Sequence, residues 1–166
     1  IPPWAPNRTI DYLLRLQGTH QPFCCCMRVF DPHNRYTNYP AEYRDLLNIE
    51  FLPEIHAPDE PFEHRPISHR LEARKKSRPD LIESRIGYHA AISLIDEQVG
   101  RVLETLDETK FSQNTVVIFT SDHGVMLCDH GLSTHGDFMY DACTSVPRNI
   151  RQPDQGGSYF AHDPFK

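Results

Sequence analysis

The spacing of apolar residues predicts one long helix in the second half of the chain. From about Asp80 to Glu108, apolar side chains recur every three or four residues, which places them on one face of a helix. A shorter helix is expected over Ile10 to Leu16, with Thr9 as its N-cap and Gly18 after its end. The apolar stripe of the long helix would face a sheet.

Three other segments have the character of strands. Phe23 to Phe30 is apolar except for Arg28, which is typical of a strand buried on both faces of a parallel sheet. Thr115 to Thr120 is rich in β-branched residues and predicts a central parallel strand, and Arg148 to Arg151 is a third candidate. Helices and strands therefore alternate, and we expect an α/β fold with a mixed, largely parallel sheet flanked by helices.

Length and composition are those of a single domain over residues 1–166. With 39% hydrophobic residues, the chain can bury a core of ordinary size. Residues 31–79 are rich in proline, histidine and charge, and we expect a long loop region on the substrate side of the fold. Residues 152–166 are expected to form an irregular tail.

Charge and hydropathy exclude several classes of partner. The 17 Lys and Arg residues are outnumbered by 23 Asp and Glu residues, so we expect no nucleic-acid partner. The sequence contains no apolar run near the roughly 18 to 20 residues of a membrane span, and its start lacks the features of a signal peptide. We expect a soluble chain with a small-molecule or glycan ligand; compartment and oligomeric state are not indicated.

A candidate cation site follows the predicted strand at Thr115 to Thr120. Asp122 and His123 supply a carboxylate and an imidazole, and Gly124 allows the backbone to turn sharply or to approach a ligand closely. Ligands in open α/β sheets bind beyond the carboxyl ends of strands, which favours a divalent cation here. Taken alone, the tripeptide fits an ordinary turn equally well.

Three longer segments carry a resemblance to a known family. They are 119–132 (FTSDHGVMLCDHGL), 30–36 (FDPHNRY) and 88–101 (YHAAISLIDEQVGR). In this order they resemble the sulfatase family of the alkaline phosphatase superfamily. The resemblance implies the C-terminal part of a sulfatase catalytic domain, incomplete at both ends.

The resemblance also implies roles for four residues. Asp122 and His123 would bind one divalent metal ion, with Ca²⁺ the first expectation and Mn²⁺ or Zn²⁺ possible because of the imidazole. His33 would contact the sulfate group or its leaving oxygen. His135 stands where the family has a sulfate-binding Lys, and it would take over that contact. The implied reaction is hydrolysis of a sulfate ester by a formylglycine nucleophile.

The chain departs from the family in ways that leave alternatives open. None of its segments matches the formylglycine motif, Cys or Ser followed by Pro or Ala at the third position and Arg at the fifth, so a longer chain would supply the nucleophile. One alternative is a phosphonate or phosphodiester hydrolase of the same superfamily, and another is a non-catalytic fragment or degenerate homologue. A second Asp-His-Gly, at 129–131, is interpreted as a turn in which His130 packs rather than binds a second metal.

Overall fold

The computed structural model describes residues 3–19, 21–33, 35–37, 39–46, 50, 52, 54–55, 62–73, 78–153 and 158–160. This part contains five α-helices, which are α1 (Trp4–Leu16), α2 (Ala41–Asp45), α3 (Ile67–Ala73), α4 (Arg78–Glu108) and α5 (Asp141–Thr144). It also contains three strands, β1 (Val117–Thr120), β2 (Arg148–Arg151) and β3 (Ser158–Phe160). Short 3-10 helices lie at Phe62–His64, Phe111–Asn114 and Asp129–Gly131.

Helix α4 is the scaffold on which α1 and α2 pack, and its prediction from periodicity is confirmed. Ile86, Ala90 and Leu94 recur at every fourth residue and are at most 5% exposed. Leu13 of α1 is equally buried, so the two helices bury apolar faces. Burial of a face this size, rather than helix propensity, stabilises a helix within a folded domain.

The first helix is longer than predicted. It begins at Trp4, so Thr9 lies inside it, and the Thr9 hydroxyl donates to the carbonyl of Ala5 at 3.0 Å instead of capping the N-terminus. Pro6 is accommodated because it lies in the first turn, where a backbone N–H has no helical acceptor. The predicted end is confirmed, since Gly18 follows the helix with a φ of 81°.

The strands β1 and β2 occur where they were predicted, but the described sheet is antiparallel. Val117 pairs with Arg151 and Thr120 with Arg148, and β3 continues the sheet on the other side of β2. Ile118 is 62% exposed, so within the described residues β1 is an edge strand rather than a buried central one. Apolar composition signals a strand, but strand direction depends on which segment lies alongside.

The prediction of a buried strand at Phe23 to Phe30 is wrong. The segment belongs to none of the described strands, its three cysteines at 24–26 are exposed, and Phe30 is 77% exposed. Phe23 instead makes edge contacts with the rings of Tyr12 and Phe111, at centroid distances of 6.2 and 5.4 Å. An apolar strand is buried on both faces only where other elements cover both faces of its sheet, and none of the described strands includes or pairs with this segment.

Two predicted irregular regions contain some regular structure. Residues 31–79 include α2, α3, the 3-10 helix at Phe62–His64 and the first residues of α4. In the region predicted as a tail, β3 pairs with β2, while residues 154–157 and 161–166 lie outside the described residues. The assignment of residues 1–166 to one domain stays a prediction. Among the described helices, none has both the length and the apolar character needed to cross a bilayer.

Candidate active site

The turn after β1 carries Asp122 and His123 on the surface of the fold. Both side chains are exposed, and the hydroxyl of Ser121 donates to the carbonyl of His123 at 2.9 Å. Backbone N–H groups of Asp122 and His123 donate to the Asp122 carboxylate and lower its pKa. Asp122 is therefore an anion at neutral pH, with its oxygens available to a cation.

His123 is oriented by a hydrogen bond to the next residue. Its Nδ1 lies 2.7 Å from the carbonyl oxygen of Gly124, a group that can only accept, so Nδ1 carries the proton in the neutral ring. The lone pair is then on Nε2. An imidazole that binds a metal through one ring nitrogen usually donates a hydrogen bond from the other, and that bond fixes the tautomer.

Gly124 anchors this turn to α5. Its N–H donates to the carbonyl of Cys143 at 2.8 Å, and a Cβ placed on it would lie 2.1 Å from the carbonyl oxygen of Ala142. A side chain at this position would push the turn away from α5. The close approach at Gly124 is thus between two segments of the protein, whereas the sequence pattern predicted a sharp turn or an approach to a ligand.

The chain then folds back and brings His135 alongside His123. Cys128 N–H donates to the carbonyl of Leu132 at 2.8 Å, and Met126 N–H donates to that of Thr134 at 3.4 Å. The apolar side chains beneath this reversal form a buried cluster of Met126, Leu132, Phe138 and Cys143. Met126 and Leu132 of the reversal are thus packed into the core, close in sequence to His135.

His33 reaches the same place from the other half of the chain. It lies in the loop after Phe30, whose carbonyl accepts a hydrogen bond from the His33 N–H at 3.3 Å. The loop is seated on α4 at Gly87, where a Cβ would lie 1.9 Å from the carbonyl oxygen of Tyr36. The ring of Tyr36 meets that of Tyr88 edge to face at 5.6 Å.

The structure thus brings all four predicted site residues together. The ring centroid of His135 lies 4.5 Å from that of His123 and 5.1 Å from that of His33. Burial lowers the pKa of His135, as do the neighbouring His123 and His33, and the charge of Asp122 acts in the opposite direction. Together these surroundings favour the neutral form of His135.

Two side chains at this turn could bind a metal ion. Asp122 offers carboxylate oxygens and His123 offers Nε2, both ordinary ligands of divalent cations. Within the residues that the structure describes, there is no group of three or more His, Cys, Asp or Glu side chains arranged to hold a metal. Asp122 and His123 therefore have the right chemistry for a metal site but would supply only part of its ligands.

The second Asp-His-Gly, at 129–131, packs against residues other than His33, His123 and His135. The ring of His130 stacks on Tyr140 at 4.1 Å, and Arg65 donates to the His130 carbonyl at 2.7 Å. The backbone φ of His130 is 56°, which lies in the left-handed region, within the 3-10 helix at Asp129–Gly131. These contacts agree with the interpretation of this segment as a turn with a packed histidine.

The sequence interpretation overlooked Gly87, which seats the loop that carries His33. A glycine inside a long helix lowers helix stability by about 1 kcal/mol relative to alanine, so its presence usually has a packing reason. That signal was available, since Gly87 precedes the second half of the apolar stripe of α4. The sequence could not show which segment approaches Gly87.

Comparison with known proteins agrees with the motifs. The family model described as Sulfatase matches residues 7–158. The uncharacterized sulfatase YidJ of Escherichia coli is 33% identical over 157 residues, covering 90% of this chain and 31% of YidJ. Mouse iduronate 2-sulfatase is 31% identical over 187 residues, covering 97% of this chain and 33% of that enzyme. This chain spans about a third of the length of these relatives.

Solved structures show a similar fold. The crystal structure of YidJ from Bacteroides fragilis has a TM-score of 0.72 and 27% identity, with 93% of this chain and 31% of that chain covered. The phosphonate monoester hydrolase of Agrobacterium radiobacter has a TM-score of 0.76 and 22% identity, with 90% of this chain and 33% of that chain covered. The fold is therefore that of the sulfatases and phosphonate hydrolases. On the extent of the family match, this chain belongs to the sulfatase family of the alkaline phosphatase superfamily.

Proposed function

We propose that this chain provides one side of the active site of a sulfatase, which hydrolyses sulfate esters with a divalent metal ion and a formylglycine nucleophile supplied by a longer chain. The observation that carries the proposal is the meeting of His33, His123 and His135 beside the ionised Asp122. Sulfatase relatives with 31% and 33% identity support the same reaction.

In this proposal Asp122 and His123 hold the metal. The carboxylate favours Ca²⁺, and the imidazole extends the choice to Mn²⁺ or Zn²⁺. When bound, such an ion neutralises negative charge on the ester oxygens. The hydrogen bond from His123 to Gly124 would keep the coordinating nitrogen directed away from the backbone turn.

His33 and His135 bind the sulfate side of the substrate. A neutral imidazole still has one N–H that can donate to an anionic oxygen, and a protonated one has two. Because burial and its histidine neighbours lower the pKa of His135, its contribution would be a directed hydrogen bond rather than a fixed positive charge. A lysine in the same place would supply both the hydrogen bond and the charge.

Two other readings make different predictions for the same protein. A phosphonate or phosphodiester hydrolase would use the same residues on a phosphorus ester, and the fold of the Agrobacterium radiobacter enzyme is compatible with it. A non-catalytic fragment or degenerate homologue would bind a partner or a metal without turnover, and His135 in place of the family's lysine is the feature that favours this reading.

Hydrolysis of 4-nitrophenyl sulfate by the native protein, compared with monophenyl phenylphosphonate, tests the proposal. We expect the sulfate ester to be the better substrate, and Asp122→Asn to lower kcat/KM by about 100-fold or more through loss of a metal ligand. Asp96→Asn, an exposed change of the same kind on α4, should leave kcat/KM unchanged. A preference for the phosphonate would establish the first alternative, and metal binding without turnover of either ester would establish the second.

A further inference from the structure

Tyr36 is a buried residue of the loop that carries His33. It is 7% exposed, and among the described residues its hydroxyl has no hydrogen-bond partner. A buried hydroxyl without a partner destabilises the folded state, so the packing of the aromatic ring has to outweigh that effect. The contribution of Tyr36 to the fold therefore lies in its ring.

Two close contacts place Tyr36 on α4. Its ring meets that of Tyr88 edge to face, with 87° between the two planes. A Cβ on Gly87 would lie 2.9 Å from the Cβ of Tyr36, in addition to its clash with the Tyr36 carbonyl oxygen. Both the backbone and the side chain of Tyr36 thus lie against the helix. Because His33 is three positions earlier in the chain, the seating of this ring restricts where His33 can lie.

The hydroxyl end of Tyr36 points towards two buried cysteines. Burial is the main cause that raises the pKa of Tyr36 to about 12, and Tyr88 and the thiols of Cys128 and Cys143 add to it. Thiols have this effect only at short range, so both lie near the phenol. Cys128 is 0% exposed and Cys143 is 7% exposed, which makes this region part of the core.

The two cysteines belong to the segments that support the other histidines. Cys128 lies in the reversal at 126–134, directly before His135. The carbonyl of Cys143 accepts the hydrogen bond from Gly124 that anchors the turn after β1. The side chain of Tyr36 therefore packs where the loop of His33, the reversal and the support of the turn come together.

We propose that Tyr36 is a positioning residue whose ring holds His33 beside His135, the two residues assigned above to the sulfate. The packing of the ring performs this role, and the hydroxyl takes no part in it. The proposal deepens the proposed function and rests on it for the effect on sulfate binding. The arrangement of the two imidazoles is a separate observable, because it can be measured without a ligand.

Two substitutions of Tyr36 in the native protein separate the ring from the hydroxyl. The first measurement is the nuclear Overhauser effect between the His33 and His135 rings, whose centroids lie 5.1 Å apart. The second is the Kd of methyl sulfate, from NMR titration at pH 7. Tyr36→Phe should keep the ring-to-ring effect and the Kd, with an equal or higher Tm. Tyr36→Leu should abolish the effect and raise the Kd about fivefold, the loss of one hydrogen bond.

Leu13→Ala is the matched control for general destabilisation. Leu13 is 2% exposed and belongs to α1, which is bonded to the later part of α4 through Asn7 and Arg101 at 2.9 Å. This variant should lower Tm, as a large-to-small change in a core does, yet preserve both the ring-to-ring effect and the Kd. If it loses the effect as Tyr36→Leu does, the histidine arrangement depends on overall stability and the proposal is overturned.

The remaining outcomes are equally decisive. A folded Tyr36→Leu that keeps the ring-to-ring effect overturns the positioning role, and so does a Tyr36→Phe that loses it. If Tyr36→Leu does not fold, Tyr88→Leu removes the ring on which Tyr36 packs, and an unchanged effect in that variant overturns the role. If methyl sulfate does not bind the wild type, the proposed function fails, while the ring-to-ring effect still decides the role of Tyr36.

Discussion

The ring of His123 lies 4.5 Å from the ring of His135, with 31° between their planes. The two residues are twelve positions apart in the sequence, and the reversal between them is held by backbone hydrogen bonds from Met126 and Cys128. The residue that we propose to bind the sulfate is thereby held beside one that we propose to bind the cation. The predictions below test this arrangement and the packing that maintains it.

Replacing His135 by lysine should strengthen sulfate binding. The surroundings of His135 lower its pKa, whereas a lysine stays charged at neutral pH, and charged hydrogen bonds exceed neutral ones by about 1 kcal/mol, or roughly fivefold in affinity. Titration with sodium sulfate at pH 7.5, followed by calorimetry, measures the change. His135→Gln is the control that keeps a hydrogen-bond donor without gaining charge, and equal affinities for His135→Lys and His135→Gln would contradict the prediction.

Replacing Gly87 by alanine should destabilise the protein and displace the loop that carries His33. The new Cβ would lie 1.9 Å from the carbonyl oxygen of Tyr36, and relief of such a clash costs about 1–3 kcal/mol. Urea denaturation measures the free energy of unfolding. Gly100→Ala on the same helix is the matched control, because a Cβ there meets nothing within 4 Å and should stabilise by about 0.5–1 kcal/mol. Equal effects of the two substitutions would show that the loop does not depend on Gly87.

Replacing Met126 by alanine should cost about 2–5 kcal/mol of unfolding free energy, the usual range for a large-to-small change in a core. Met126 is 0% exposed within the cluster beneath the reversal, whereas Met139 is 83% exposed. Met139→Ala should therefore change the unfolding free energy by no more than about 0.5 kcal/mol. Urea denaturation of both variants is the measurement, and the expected difference disappears if the cluster is not part of the folded core.

His89 should make folding stability sensitive to acid. Burial lowers its pKa below the ordinary 6.5, and the positive charge of Arg85 adds to the effect. Between its folded and unfolded pKa values, the unfolded chain binds more protons at this site. Its destabilising effect is therefore absent well above pH 6.5 and grows as the pH falls through 6.5 towards the lower, folded pKa.

The measurement for His89 is a comparison of Tm between the wild type and His89→Gln from pH 5 to pH 8. We expect the Tm of the wild type to fall more steeply with acid than that of the variant. Comparing the two proteins cancels the contribution of His135, whose pKa is lowered in the same direction. Parallel Tm curves would show that His89 titrates normally in the folded state.

Sequence patterns were most informative where the physical cause is local. The apolar stripe of α4 arises from a repeat of 3.6 residues, which does not depend on the partner helix, and the predicted start and end agree with the structure to within two residues. The start of α1 was missed, because Thr9 resembles an N-cap yet donates within the helix. Caps are ambiguous whenever a threonine can bond to the carbonyl four residues earlier.

The sequence by itself determined the long helix α4, the positions of β1 and β2, and the chemical types of the candidate site residues Asp122, His123, His33 and His135. Tertiary structure alone decided that β1 pairs antiparallel, that the cysteines at 24–26 and Phe30 lie exposed, and that α3 borders a groove beside His135. The reason is that helical periodicity and donor chemistry belong to neighbouring residues. Strand direction, burial and the walls of a groove depend on which distant segment lies alongside.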